Sequence, residues 1–598
     1  MIRFDQNRKL ILLTTYCVGI SLGILLAMEP FGFFLAGISA ASLAYLFYLE
    51  LRELPLRFQI AWLLILSQLI DLIVFLWIPN SISAISGSGK TVSWALFLVY
   101  GLFSQIKLFL FYFGWKITSD FHNKLNKNNI QSRQSLLFDW ASFPIWGTIT
   151  DLITPQLFPW FWGNLAEGSL SFSQSASWFG IYGIGFFLLW IGASAALLVV
   201  KKERILGILG VAIFTFIWIL ASLRLYSAPE YAVPTKTPAL EKEVLLLSGL
   251  LVQPNTSPAK RELAENADFI GNAMSKILEL SLQAALTTSP PPDLIFLPES
   301  AVPFHGTNPN QSSKEKNIYS PTYHGLVKYL SLKTGADLVY NELNQYSEGL
   351  KNQVSLISSE SLYSIRYDKR RLLPFGEFIP LEKYFPKLRN LFEETSKYVP
   401  GDEPAPLKGQ RKETRSRFPK APTVLDLNLI QKPEQISSGL VYNDAEAESS
   451  GSFDYQVLPL ICYEAMFPEL VSDSIQNSES EVFTFLVNPT NDAWFSSSTE
   501  AWQHGAASKF RSIEFGLTLV RPAVSGISYA VDPYGRDLTP PLEFSEVGSR
   551  SFLLPITRKR KEGNTFYAKI GNLPFYLYSV LLIGFLFVLR KRNIVFLK

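Results

Sequence analysis

Three residues of this 598-residue chain have the types and settings that acyl chemistry requires: Glu299, Lys369 and Cys462. Cys462 sits in VLPLICYEAMFPE, residues 457–469. The apolar run Val457–Ile461 reads as a short buried strand that stops at the cysteine, and a segment with helical apolar spacing follows Tyr463 and Glu464. A thiol at the end of a core strand, beside a carboxylate, is where an α/β enzyme would carry a nucleophile. Taken alone, a buried structural cysteine is the commoner occurrence. Two further stretches shift that balance: IFLPESAVP with Glu299, and YDKRRLLPFGEFIP with Lys369 and Glu377. A thiol of pKa near ~8.5 is only partly ionised at neutral pH, so it needs a base or a positive neighbour. Glu299 could take its proton, Lys369 could stabilise a thiolate and then an oxyanion, and Glu377 could hold that lysine in place. Glu464, two residues past the thiol, could act on the incoming or leaving group. Each has an ordinary alternative: a charge beside a helix start, a solvated basic run over Lys369–Arg371, a loop carboxylate. Their coincidence singles out the set.

The elements that must position these residues lie in a chain too large for one ordinary domain. With 48% hydrophobic and 14% aromatic residues it is also too apolar to be wholly soluble. A formal charge of +3 gives no basis for nucleic-acid binding. Cys17 and Cys462 lie in unlike halves, which argues against a mutual bridge. The four histidines, His122, His305, His324 and His504, show no metal-ligand spacing, so neither a metal nor a cofactor is expected.

Apolar runs long enough to span a bilayer occur at 10–28, 31–49, 58–78, 92–114, about 138–162, 178–200, 205–226 and 573–589. The fifth is interrupted by Asp139, Asp151 and prolines. With a cytoplasmic N-terminus, 16 lysines and arginines fall in the inside segments, against Lys90 alone in the short outside loops. The expectation is therefore a membrane protein of about eight transmembrane helices. Residues 1–226 form a seven-helix domain, 227–572 a single extracytoplasmic domain, and 573–598 a last helix and cytoplasmic tail. In a Gram-negative cell the large domain would face the periplasm. Within it, strand-like runs at 244–252, 293–298, 336–340, 457–462 and 481–487 alternate with helix-like stretches near 262–287, 322–334 and 500–515. That pattern predicts an α/β fold with covered sheets. Residues 402–454, polar and without apolar period, read as a mobile surface insertion.

On these residues the chain resembles the apolipoprotein N-acyltransferase family, the membrane-embedded branch of the nitrilase superfamily. The shared stretches are LPES at 297–300, YDKRRLLPFGEFIP at 367–380, LPLICYE at 458–464, NPTNDAWF at 488–495 and HGAASKFRSIE at 504–514. In the membrane half they are FPW at 158–160 and YGIGF at 182–186. The resemblance implies an αββα nitrilase-like domain and a two-step acyl transfer. Cys462 would take the sn-1 chain of a phospholipid, typically phosphatidylethanolamine, as a thioester and pass it to the N-terminal amine of a diacylglyceryl-cysteine lipoprotein. Glu299 is then the base, Lys369 the oxyanion stabiliser, Cys462 the nucleophile and Glu377 and Glu464 supporting carboxylates, with Tyr463 and Trp494 near the acyl site. It implies a monomer in the inner membrane. The chain departs from the family at Arg261, where a tryptophan is usual, around Thr148–Asp151, at 360–364, which lack a turn glycine, and in the length of 402–454.

Two other readings stay open on sequence alone. A membrane-anchored nitrilase-type amidase would use the same residues with water as acceptor. A transporter or sensor with a degenerate nitrilase-like domain would draw on Asp71 and Lys107 inside apolar runs, although an ion pair or a snorkelling lysine accounts for those as well.

Overall fold

The computed structural model describes residues 2–87, 89–125, 133–201, 204–231, 243–256, 267–302, 319–359, 364–391, 397–412, 452–561, 563–577 and 581. It divides into two compact units, one made of residues 1–83, 88–228 and 565–598, the other of 84–87 and 229–564.

The first unit is helical. Among the described residues five helices are long and apolar enough to cross a membrane: Asn7–Ala27, Phe34–Leu51, Leu56–Val74, Ala176–Val199 and Arg204–Tyr226. They coincide with five of the eight expected spans. The run at 92–114 is instead two helices, Lys90–Tyr100 and Ile106–Leu125, separated by turns. The break carries Ser104 and Gln105, whose side chains turn inward to bond Asp71 at 2.5 and 3.0 Å. The interrupted fifth run is a helix, Arg133–Ile153, with Pro144 inside it, followed by non-helical chain to Phe161. Most of the last run lies outside the described residues. Small residues let these helices approach closely: a Cβ on Gly192 would fall 2.5 Å from that of Ala41. Lys107 is buried against Asp151 at 3.0 Å, with its ammonium 3.3 Å from the Trp160 ring centroid. Lys107 and Asp151 thus compensate one another, and Asp71 is held by neutral donors.

Among the described residues the second unit is built on eleven strands: β1 (Val244–Gln253), β2 (Leu294–Phe296), β3 (Asp337–Tyr346), β4 (Gly349–Ile357), β5 (Ser364–Asp368), β6 (Leu407–Lys412), β7 (Ser452–Pro459), β8 (Phe483–Val487), β9 (Leu519–Arg521), β10 (Tyr529–Val531) and β11 (Gly548–Arg558). Their order is β10-β9-β8-β11-β1-β2-β3-β4-β5, with β7 also paired to β8 and β6 to β7. The expected sandwich is therefore one hydrogen-bonded sheet that turns back on itself at β11. That strand pairs with β1 over ten residues and reaches β8 only through Thr557 and Arg558.

Alternating side chains on the strands divide between two cores. Leu251, Leu294, Phe296 and Val339 face inward, where they meet Val457, Phe485, Val487 and Val520 from the other half. Leu250, Val252, Ile295 and Leu338 face outward beneath the helices Ala267–Thr287 and Tyr319–Thr334. Burial on both faces explains why these strands read as unbroken apolar runs.

The strand before the thiol ends at Pro459, earlier than expected, and Cys462 opens a short 3-10 helix, Cys462–Met466. The insertion is also narrower than expected. Residues 407–412 and 452–457 pair as antiparallel strands, and 413–451 lie outside the described residues. Arg261 and residues 360–363 lie outside them too.

Candidate active site

Glu299, Lys369, Glu377 and Cys462, brought from three separate stretches, meet in one buried cluster. Glu299 follows β2 at the end of the parallel pair with β3. Lys369 follows β5, where its N–H donates to the Asn352 carbonyl on β4 at 2.8 Å. Its ammonium lies 2.8 Å from Glu377 Oε1 and 3.4 Å from Glu299 Oε1. Glu377 is fixed by its own turn, since Leu373 N–H donates to its Oε2 at 2.7 Å. The Cys462 thiol bonds the Glu299 carboxylate, and the Asn491 backbone N–H reaches the sulfur.

Cys462 has φ of +50°, a left-handed backbone that costs a non-glycine residue roughly 1–2 kcal/mol. The chain holds it there from both sides. Cys462 N–H donates to the Pro489 carbonyl at 2.9 Å, and Asn488 Nδ2 donates to the Cys462 carbonyl at 3.1 Å. The turn places the sulfur beside the Glu299 carboxyl.

The electrostatics follow from burying one cation between acids. Burial opposes the charge on Lys369, but Glu299 and Glu377 outweigh it and hold the ammonium well above the ordinary lysine range. Burial pushes the Glu299 carboxyl up, with Lys369 pulling against it. Burial, and then Glu299, push the Cys462 thiol well above its ordinary value despite Lys369. Burial thus favours the neutral thiol at Cys462 and raises the basicity of Glu299 beside it. A proton can pass from sulfur to Glu299 as the sulfur attacks, while Lys369 stays charged next to the developing oxyanion.

Glu464 occupies a different place from the one expected of a group acting on incoming or leaving groups. It is fully buried. Its oxygens accept from Ile461 N–H at 2.7 Å, Arg370 N–H at 2.7 Å, Arg371 N–H at 3.0 Å and the Tyr367 hydroxyl at 3.0 Å. One carboxylate so ties the cysteine turn to the lysine loop. Tyr463 is buried with its ring centroid 4.9 Å from that of Phe467, and Trp494 is partly exposed in the short 3-10 turn Asp492–Trp494.

Sequence reasoning passed over two groups. Asn352 donates to Glu299 at 2.7 Å and to Glu377 at 3.3 Å. Behind Cys462, Asp492, Glu500 and His504 bring ligand-type atoms within 4.8 Å of one another. The spacing of Glu500 and His504, one helical turn apart, was the available signal. Arg521 already compensates the Asp492 carboxylate there at 2.8 Å, and with His504 it holds that carboxyl below its ordinary value against the effect of burial.

Residues 252–550 match the carbon-nitrogen hydrolase family. The chain is 39% identical over 573 residues to apolipoprotein N-acyltransferase 1 of Leptospira interrogans serovar Lai, covering 95% of each protein. It is 28% identical to apolipoprotein N-acyltransferase 2 of Leptospira interrogans serovar copenhageni, covering 78% of this chain and 77% of the relative. To the apolipoprotein N-acyltransferase of Pasteurella multocida it is 24% identical, over 86% of this chain and 85% of that one.

Proposed function

The chain belongs to the apolipoprotein N-acyltransferases within the carbon-nitrogen hydrolases, and from that premise we propose that it moves an acyl chain through Cys462 from a phospholipid to a lipoprotein amine. The observation that carries this reading is the convergence of Glu299, Lys369 and Cys462 in one buried hydrogen-bonded cluster. In the first step the sulfur attacks the sn-1 ester carbonyl as Glu299 accepts the thiol proton, and negative charge gathers on the carbonyl oxygen beside Lys369. Collapse expels the lysophospholipid, whose leaving oxygen takes the proton back from Glu299. In the second step the free α-amine of a diacylglyceryl-cysteine attacks the thioester, Glu299 takes the amine proton, and the Cys462 thiolate leaves to be reprotonated. Glu377 holds Lys369, and Glu464 positions the two loops rather than exchanging protons with substrate. Tyr463 and Trp494 border the acyl chain. Phosphatidylethanolamine is the proposed donor, and the protein is proposed to act as a monomer. The basic-residue asymmetry supports an inner-membrane setting with 227–572 in the periplasm.

The test is intact-mass measurement of purified protein mixed with phosphatidylethanolamine, with and without an acceptor lipopeptide. One acyl adduct should appear on Cys462 without acceptor, accompanied by a burst of lysophospholipid no larger than the enzyme present, and should be discharged when acceptor is added. Cys462→Ala should abolish the adduct, and Cys462→Ser should nearly do so because a hydroxyl ionises far less readily. A Cys462→Ala protein that still transferred acyl chains would overturn the mechanism.

A further inference from the structure

What holds the strained turn at Cys462 is a buried polar network that none of the chemical steps uses. Arg521, at the end of β9, is fully buried. Its Nη1 donates to Asn488 Oδ1 at 2.6 Å and to Thr490 Oγ1 at 3.0 Å, and its Nη2 donates to Asp492 Oδ2 at 2.8 Å. Asn488, oriented by that contact, donates to the Leu460 and Cys462 carbonyls at 2.5 and 3.1 Å. Asp492 Oδ1 lies 2.9 Å from His504 Nδ1, and Nε2 of the same ring faces the Cys462 carbonyl at 3.4 Å. The backbone makes room for this arrangement: a Cβ on Gly526 would fall 2.0 Å from Asp492 Oδ2.

We propose that Arg521 is a positioning residue for the nucleophile, ordering Asn488 and the Asp492–His504 pair so that both converge on the Cys462 carbonyl. The proposal rests on the reading of Cys462 as the nucleophile. A planar peptide rotates as a unit, so fixing the carbonyl of residue 462 fixes its ψ, while its N–H is already tied to Pro489. With both neighbouring peptides held, the direction of the Cα–Cβ bond, and hence of the sulfur toward Glu299, is set. A residue present only to neutralise Asp492 would not need the second arm. The planar guanidinium reaches Asn488 and Asp492 at once, which a single ammonium cannot do.

The discriminating experiment is single-turnover acylation of the full-length protein by phosphatidylethanolamine, followed by intact mass across lipid concentrations. Arg521→Lys keeps a charge beside Asp492 but loses the bridge. Its maximal rate of Cys462 acylation should fall about tenfold or more, since displacement of a reacting group by about 1 Å can cost on the order of 10²-fold, with the half-saturating lipid concentration unchanged. His504→Ala should show a smaller loss of the same kind, and His504→Gln, which restores a donor, should recover part of it. A folded Arg521→Lys protein acylated at the wild-type rate, or impaired only in half-saturation, would overturn the proposal. If Arg521→Lys does not fold, the His504 pair decides: a folded His504→Ala protein with the wild-type rate overturns it equally. Failure of wild-type Cys462 to be acylated at all would be a different result, removing the nucleophile reading itself.

Discussion

Asn352 shows how much of the candidate chemistry depends on a residue with none of its own. Its amide nitrogen lies between the Glu299 and Glu377 carboxylates, and its oxygen accepts from Asn341 Nδ2 at 2.6 Å. Replacing it with Asp would set a third acid around Lys369. Burial already raises the Glu299 carboxyl above its ordinary value, and an added negative charge raises it further. The base acts only when deprotonated, so acylation should climb with pH through the Glu299 ionisation. Asn352→Asp should therefore move the acid limb of the single-turnover profile to higher pH, while Asn352→Ala should mainly lower its plateau. An unchanged acid limb in Asn352→Asp would separate Glu299 from the rate-governing proton. Glu299, Lys369, Glu377 and Cys462 were legible in the sequence because each stands in a recognisable local pattern. Asn352 was not, since its partners come from strand pairing 53 and 25 residues away, and nothing local to NQVSL marks an asparagine as a ligand of acids.

The elements matter through how they end. β5 delivers Lys369, β7 delivers the turn before Cys462, and Glu464 joins the two ends through four hydrogen-bond donors. Removing that carboxylate leaves backbone N–H groups of Ile461, Arg370 and Arg371 without it, at about 1–3 kcal/mol for each buried donor left unmade. Glu464→Ala should therefore lower the thermal midpoint of the detergent-solubilised protein and cut acylation together, whereas Tyr367→Phe, which removes one hydroxyl and no backbone partner, should cost far less in both. Equal loss from the two would mean that the backbone contacts are not what the carboxylate supplies. The strands around β1, β2, β3 and β8 were readable because burial on both faces leaves uninterrupted apolar runs. β4, β5 and β6 were not: NQVSL, SIRYD and LKGQRK mix polar with apolar residues, and only pairing with neighbours makes them strands. The β6–β7 pair also redraws the insertion. Lys412 and Ser452 are opposite one another, so a short turn can close the hairpin at little entropic expense. Replacing 415–449 with a brief Gly/Ser linker should leave folding and acyl loading intact, as read by melting and intact mass. Collapse of either would show that those residues pack as structure.

At the scale of the whole molecule, sequence and structure agree on a helical unit and a nitrilase-like unit but differ in the character of the helices. Five described helices meet the length and hydropathy needed to cross a bilayer. The 92–114 run is split where its centre unwinds and Ser104 and Gln105 bond Asp71, and the 138–162 run is cut short because its helix ends at Ile153. A hydropathy pattern counts apolar residues and is blind to polar groups satisfied by neighbouring helices, so it sees length where the chain breaks. Orientation depends on a separate signal. If neither broken run crosses, Lys116, Lys124, Lys127 and Arg133 move to the outer side and the inside count falls from 16 to 12, so the bias weakens but keeps its sign. On the proposed reading the acceptor is a lipoprotein amine and the donor a membrane phospholipid, which puts the site on the side where both are displayed. An alkaline phosphatase fusion after Tyr226, which is active only outside the cytoplasm, should therefore be active, and a fusion after Leu51 should not. Activity in the second and silence in the first would invert the topology. It would also place Cys462 on the cytoplasmic face, leaving the site without access to lipoproteins matured on the other side.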